Sequence, residues 1–322
     1  MSRKTGSGSH FDRRAIPAFA AESRWNAADG HAVRRIDFPA RGGVARGALL
    51  FLPGRGDFYE KYLETLDHWA AKGWSVTALD WRGQACSGRL GGDEVTGHVA
   101  DFSVWVDDIA AFWRDWAGQG GGPHVIVAHS MGGHLALRAL AERRLDPAAL
   151  VLSAPMLGIQ PTNLPLSLVH GFARVMRAVF TADRQAWRGS ERPLRDPDDR
   201  FDLLTHDADR YADEVWWRKE RPGLWLGAPS WGWIERAIAS SRLLRKTGLL
   251  ESIRTPTLFV ATDADRLVSW PAIAEAAARM PAARLVRFGD EARHELLREE
   301  DAVRERVLAE IDDFLAGAAP AT

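Results

Sequence analysis

The sequence is short of cysteine, of long apolar runs and of any excess of one charge sign, and each shortage removes a class of function. A single cysteine, Cys86, permits no internal disulfide framework, so a reducing compartment is expected. No apolar run approaches the roughly 18 residues a membrane-spanning helix needs. Forty-two Lys and Arg stand against 43 Asp and Glu. That balance offers no broad basic face to nucleic acid. Arg13-Arg14 ahead of Ala15 to Ala21 has a trace of an export signal, but Pro17 interrupts the run and Glu22 ends it. Residues 1–24 are therefore expected to form a polar, mobile extension, and the chain to be cytoplasmic, either free or peripheral at the inner membrane face.

What is present is enough chain, 322 residues, to bury one sizeable core with an insertion. Residues 31–38 and 45–52 pattern as a strand pair joined through Gly42-Gly43, and the second ends in the apolar run Ala48 to Leu52. Pro53-Gly54-Arg55-Gly56 is too glycine-rich for a strand and leads into a helix that Gly73 closes. Trp74 to Asp80 is the next strand, and the polar loop Asp80 to Gly83 has side chains suited to bracing a turn. A helix with Phe102, Val106, Ile109, Phe112 and Trp113 at helical spacing follows. Alternation of strand and helix continues through Val125–Ala128 and Ala149–Pro155, which indicates a parallel sheet covered on both faces.

The rhythm breaks over residues 156–250. Prolines interrupt several helical stretches there, and Trp187, Trp216, Trp217, Trp225, Trp231 and Trp233 concentrate in it. This composition suits a helical cap inserted over the sheet, with most tryptophans in the cap's own small core. Residues 25–155 and 251–322 form the main domain in this reading. In Leu166 to Phe180, His170, Arg174 and Arg177 share one face. Both a lipid-facing helix and an ordinary cap helix have that form.

The stretch that organises the chain is Pro123 to Leu140. A short apolar strand meets a helix at Ser130, with the small residues Ala128 and Gly132 two positions to either side. Such a turn pushes the hydroxyl clear of its own backbone and aims the unpaired N–H groups of a helix N-terminus at the reacting atom. Met131 N–H is one candidate oxyanion donor; Arg55 N–H, in the loop after an earlier strand, is the second. Strands resume at residues 255–262 and 283–288. An acid follows the first and a histidine the second, so Ser130, an Asp and His294 stand in chain order at the carboxyl ends of parallel strands, which lie side by side in such a sheet. Asp263 and Asp265 compete as the acid. Imidazole is the side chain whose titration suits a base for serine near neutral pH, and the imidazolium then needs a carboxylate partner.

On Pro53-Gly54-Arg55, Asp80-Trp81-Arg82-Gly83-Gln84, His129-Ser130-Met131-Gly132-Gly133, Leu204-Thr205-His206-Asp207, Trp231-Gly232-Trp233, Ala264-Asp265-Arg266-Leu267 and Arg293-His294-Glu295-Leu296, the chain resembles α/β-hydrolases of the serine-hydrolase group. Within them it is similar to bacterial lysophospholipases and monoacylglycerol lipases. The resemblance implies an α/β-hydrolase fold: a mostly parallel central sheet, helices on both faces and an inserted helical cap. It implies Ser130 as nucleophile, His294 as base and Asp265 as its orienting acid, without cofactor or metal. His129, Trp231 and Trp233 are expected near the substrate pocket. Ala128 departs from the usual first glycine of the turn, and Pro53 stands where monoacylglycerol lipases commonly carry histidine. The expected partner is a small ester or lysolipid, with peripheral membrane contact through the cap. Short-chain or aromatic esters, acyl transfer with the same three residues, and ligand binding without catalysis are the competing expectations.

Overall fold

The structure, a computed structural model, describes residues 11–160, 166–186 and 197–320. Strands β1 (Ala21–Asn26), β2 (Ala32–Phe38) and β3 (Gly47–Leu52) come first, then a 3-10 turn at Tyr59–Tyr62, helix α1 (Leu63–Ala71) and strand β4 (Trp74–Leu79). Helix α2 (Ser103–Ala117) leads to β5 (His124–His129), α3 (Ser130–Ala141) and β6 (Ala149–Ser153). Helices α4 (Leu166–Val179), α5 (Pro197–Leu204), α6 (Ala208–Glu220) and α7 (Trp231–Leu244) separate β6 from β7 (Thr257–Thr262). Helix α8 (Trp270–Arg279), β8 (Ala283–Phe288) and α9 (Asp301–Ala318) complete it.

The eight strands form one sheet in the order β1-β2-β4-β3-β5-β6-β7-β8, parallel from β4 to β8 and antiparallel at the β1-β2-β4 edge. In β3, β5, β6 and β7 the interior residues are buried on both faces, which is why these segments read as unbroken apolar runs. The crossover through α1 places β4 on one side of β3, and the chain then returns through α2 to place β5 on the other. Such a reversal opens a crevice at the carboxyl ends of the two central strands, where side chains from successive loops converge. Leu52 pairs with Ala128, and His129 with Ser153, so the loops after β3, β5 and β6 leave the sheet side by side.

Three expectations need correction. Residues 31–38 and 45–52 are both strands, but they do not pair: β4 lies between β2 and β3. The N-terminal stretch is not a free extension over its described part, because residues 21–24 belong to β1, and Arg13 and Arg14 each reach Asp213 of α6 at 2.6 Å. Among the described residues, most of the insertion's tryptophans do not stay in a core of its own. Trp217 and Trp233 join the main apolar cluster, Trp233 through Phe102 at 5.6 Å between rings. Trp187 lies outside the described residues.

Candidate active site

The turn between β5 and α3 holds Ser130 at φ +51°, a left-handed conformation that a non-glycine residue adopts only under constraint. The constraint is close packing. A Cβ on Gly132 would meet the carbonyl oxygens of Pro53 and Leu52 at 2.4 and 2.5 Å, so α3 can approach β3 only with glycine there. Ala128 is fully buried in β5, in register between Leu52 of β3 and Leu152 of β6.

Ser130 Oγ lies 3.0 Å from His294 Nε2, and His294 Nδ1 lies 2.7 Å from Asp265 Oδ2. The second Asp265 oxygen accepts the N–H groups of Leu267 and Val268 at 2.7 and 2.9 Å, which locks the carboxylate in its loop after β7. Asp263, the competing acid, instead pairs with Arg287 of β8. Burial alone would make His294 harder to protonate, but the Asp265 carboxylate outweighs it and raises the imidazole pKa above its ordinary value. Burial would likewise raise the Asp265 pKa; its pairing with His294 and the two amides hold it below the ordinary carboxylate value. Asp265 therefore stays ionised beside a histidine able to take a proton from Ser130.

The loop after β3 faces Ser130 from the other side of the crevice. Gly54 N–H donates to Asp57 Oδ2 at 3.0 Å and Gly56 N–H to Gln84 Oε1 at 2.7 Å, which fixes the Pro53–Gly54 and Arg55–Gly56 peptides that flank the peptide carrying Arg55 N–H. Met131 is the second residue of α3, so its N–H has no acceptor within the helix. The Arg55 guanidinium turns into the inserted segment, donating to the Gly227 carbonyl at 2.8 Å and lying 5.1 Å from the Trp233 ring centre. Asp80 braces the same region: it accepts Tyr59 N–H at 3.0 Å and faces Arg34 at 3.1 Å.

Of the three residues expected near the pocket, Trp233 meets the site through Arg55, and Trp231 packs edge-on to Phe172 of α4 at 5.4 Å. His129 is buried beneath His294, with ring centres 4.8 Å apart and Nδ1 donating to the Ser153 carbonyl at 3.2 Å. Burial and the neighbouring His294 lower its pKa to about 4, so it is neutral near pH 7. What sequence reasoning missed is a buried charge cluster behind the loop, built on Asp57, Lys61, Glu214, Glu295 and Arg298. Its local signs are the short spacings between Asp57 and Lys61, Glu214 and Arg218, and Glu295 and Arg298, which are common on solvated helix surfaces.

Residues 43–301 match the model of the family described as Serine aminopeptidase, S33. The chain belongs to that family. It is 30% identical over 309 residues to Lysophospholipase L2 of Escherichia coli strain K12, covering 91% of this chain and 86% of that one. A shorter match, 30% over 135 residues, links 39% of the chain to 45% of a monoacylglycerol lipase of Mycolicibacterium smegmatis. A soluble variant of monoglyceride lipase from Saccharomyces cerevisiae shares the fold, with a TM-score of 0.75 at 17% identity over 97% of this chain and all of that one. The chain is an ester-hydrolysing serine hydrolase of the α/β-hydrolase fold.

Proposed function

We propose that this hydrolase cleaves lysophospholipids or monoacylglycerols through an acyl-enzyme on Ser130. The observation that carries the mechanism is the continuous hydrogen-bonded path from Ser130 through His294 to Asp265. In this reading His294 takes the hydroxyl proton as Ser130 attacks the ester carbonyl, and Arg55 and Met131 N–H groups hold the tetrahedral oxyanion. His294 then gives the proton to the leaving alcohol. Water, deprotonated by the same imidazole, releases the fatty acid and restores Ser130.

The lipid class rests on the curated relatives, named lysophospholipase and monoacylglycerol lipase, and on the face that α4 offers to solvent. The described parts of residues 156–250 are read as the cap, and Ser130 and His294 retain only 8% and 5% exposure. In helix α4, His170 and Arg177 turn toward α7 and contact its Glu235 at 3.1 and 2.9 Å, while Arg174 stays exposed. The outward side of α4 exposes Leu168, Phe172, Val175 and Val179 to between 56% and 67%. These exposed apolar side chains support peripheral contact with a lipid surface.

The test is hydrolysis of lysophosphatidylcholine, a long-chain monoacylglycerol and p-nitrophenyl butyrate by wild type and Ser130→Ala. Release of fatty acid from either lipid by wild type alone is the expected result. Turnover confined to the short ester would overturn the lipid assignment, and equal turnover by Ser130→Ala would overturn the acyl-enzyme.

A further inference from the structure

Behind the crevice six charged side chains are buried together, none more than 4% exposed. Lys61 Nζ stands 2.5 Å from Asp57, 2.9 Å from Glu214 and 2.6 Å from Glu295. Arg298 pairs with Glu214 at 3.0 Å and with Glu295, and Arg218 pairs with Glu214 at 2.9 Å. Three carboxylates thus face three cations. Taking this many charges from water is costly, and a buried ion pair commonly adds no more stability than apolar residues of the same volume. Stability alone therefore does not account for the cluster.

Its attachments are more informative. Asp57 holds the Gly54 amide of the loop beside Ser130. Glu295 is the residue after His294, and its own N–H donates to the Leu204 carbonyl at the end of α5 at 2.8 Å. Glu214 and Arg218 belong to α6 in the insertion, and Arg218 also donates to the Gly56 carbonyl at 3.1 Å. One cluster therefore touches the oxyanion loop, the histidine loop and the inserted segment. Resting on the serine-hydrolase reading of Ser130 and His294, we propose that Glu214 and Arg218 are positioning residues: through Lys61 and Arg298 they hold the oxyanion loop and the His294 loop in their reactive placement. Catalytic geometry is then coupled to the seating of α6.

The groups facing His294 are Asp265, Glu295, Asp57 and the neutral His129, with Lys61 behind the two nearer cluster carboxylates. Removing one cluster charge must therefore be felt at His294, in a direction set by its sign. Glu214→Gln leaves the three cations facing two carboxylates, which disfavours the imidazolium; Lys61→Met does the reverse.

The experiment measures kcat, KM and the pH profile of kcat/KM with p-nitrophenyl butyrate, alongside thermal melting and labelling by a fluorophosphonate, for wild type, Glu214→Gln, Lys61→Met and Lys61→Arg. Folded Glu214→Gln is expected to lose about 10- to 100-fold in kcat, as small misplacements of reacting groups do, with KM within about threefold and its acid limb moved to lower pH. Lys61→Met moves the limb to higher pH, and Lys61→Arg restores part of the rate. Glu214→Gln with wild-type kcat and an unmoved limb would overturn the inference, whether or not Lys61→Met folds. Wild type that fails to take the fluorophosphonate would overturn the acyl-enzyme reading itself, and this inference with it. A labelled wild type beside an unaltered Glu214→Gln overturns the inference alone.

Discussion

His294 and His129 lie with ring centres 4.8 Å apart, yet only His294 has one nitrogen on Ser130 and the other on a carboxylate. His129 has its Nδ1–H committed to the Ser153 carbonyl, and its Nε2 stands 3.9 Å from Asp57. The two residues should respond differently to substitution. His294→Ala is expected to lower kcat by about 10⁴-fold or more, as loss of a general base does in such triads. His129→Phe keeps the ring that supports His294 and is expected to cost no more than about tenfold. Steady-state kinetics on p-nitrophenyl butyrate compare them, and equal losses would contradict the assignment of roles.

The pH dependence follows from the pairing of His294 with Asp265. Because the carboxylate raises the imidazole above its ordinary 6.5 and catalysis needs it neutral, the acid limb of kcat/KM should fall above pH 6.5. Asp265→Asn removes the charge, so the limb should move down while kcat drops about 10⁴-fold. Stability carries the same linkage: a raised folded pKa stabilises fully below pH 6.5 and loses that contribution as pH rises through the raised value. Melting of wild type against Asp265→Asn from pH 5.5 to 8.5 should show the difference shrinking with pH.

Gly54 and Gly132 fail for different reasons when given a methyl group. A Cβ on Gly54 would lie 2.7 Å from Asp57 Oδ2 and 3.1 Å from Ser130 Cβ, so Gly54→Ala displaces the loop after β3 proposed to hold the oxyanion. A kcat loss of about 10²- to 10³-fold in a folded protein is expected, the scale of one lost oxyanion donor. In Gly132→Ala the new methyl meets backbone oxygens at 2.4 and 2.5 Å, and α3 must move away from β3. That variant should lose stability first, measured as a lower Tm or failure to fold.

The apolar stripe on α4 separates lipid surface from chemistry. Phe172→Glu with Val175→Glu places charge on residues 56% and 57% exposed, which costs the folded protein little. Co-sedimentation with anionic phospholipid vesicles should weaken, and turnover of vesicle-borne substrate should fall with it. Hydrolysis of p-nitrophenyl butyrate should stay near wild type. Unchanged vesicle binding would contradict a lipid-facing α4.

Local pattern carried the candidate site residues, and long-range contact carried what was missed. Ser130, Asp265 and His294 each follow an apolar strand closely enough for spacing to be informative, and the register of a parallel sheet then brings them together. The choice between Asp263 and Asp265 rested on resemblance, and the hydrogen bond to His294 favours the same residue. Strand partners were less legible: nothing within residues 31–52 shows that β4, which follows them, will separate β2 from β3. The buried cluster was invisible because Lys61, Glu214 and Arg298 come from distant segments, and each alone looks like a solvated charge. The orientation of α4 was equally hidden. His170 and Arg177 turn inward only because α7 supplies Glu235.

The most direct test of the acyl-enzyme is intact mass after incubation with a fluorophosphonate, wild type beside Ser130→Ala. One adduct on wild type, mapped to Ser130 and absent from the folded variant, is the expected result. No adduct on folded wild type, or equal labelling of both proteins, would contradict an activated Ser130.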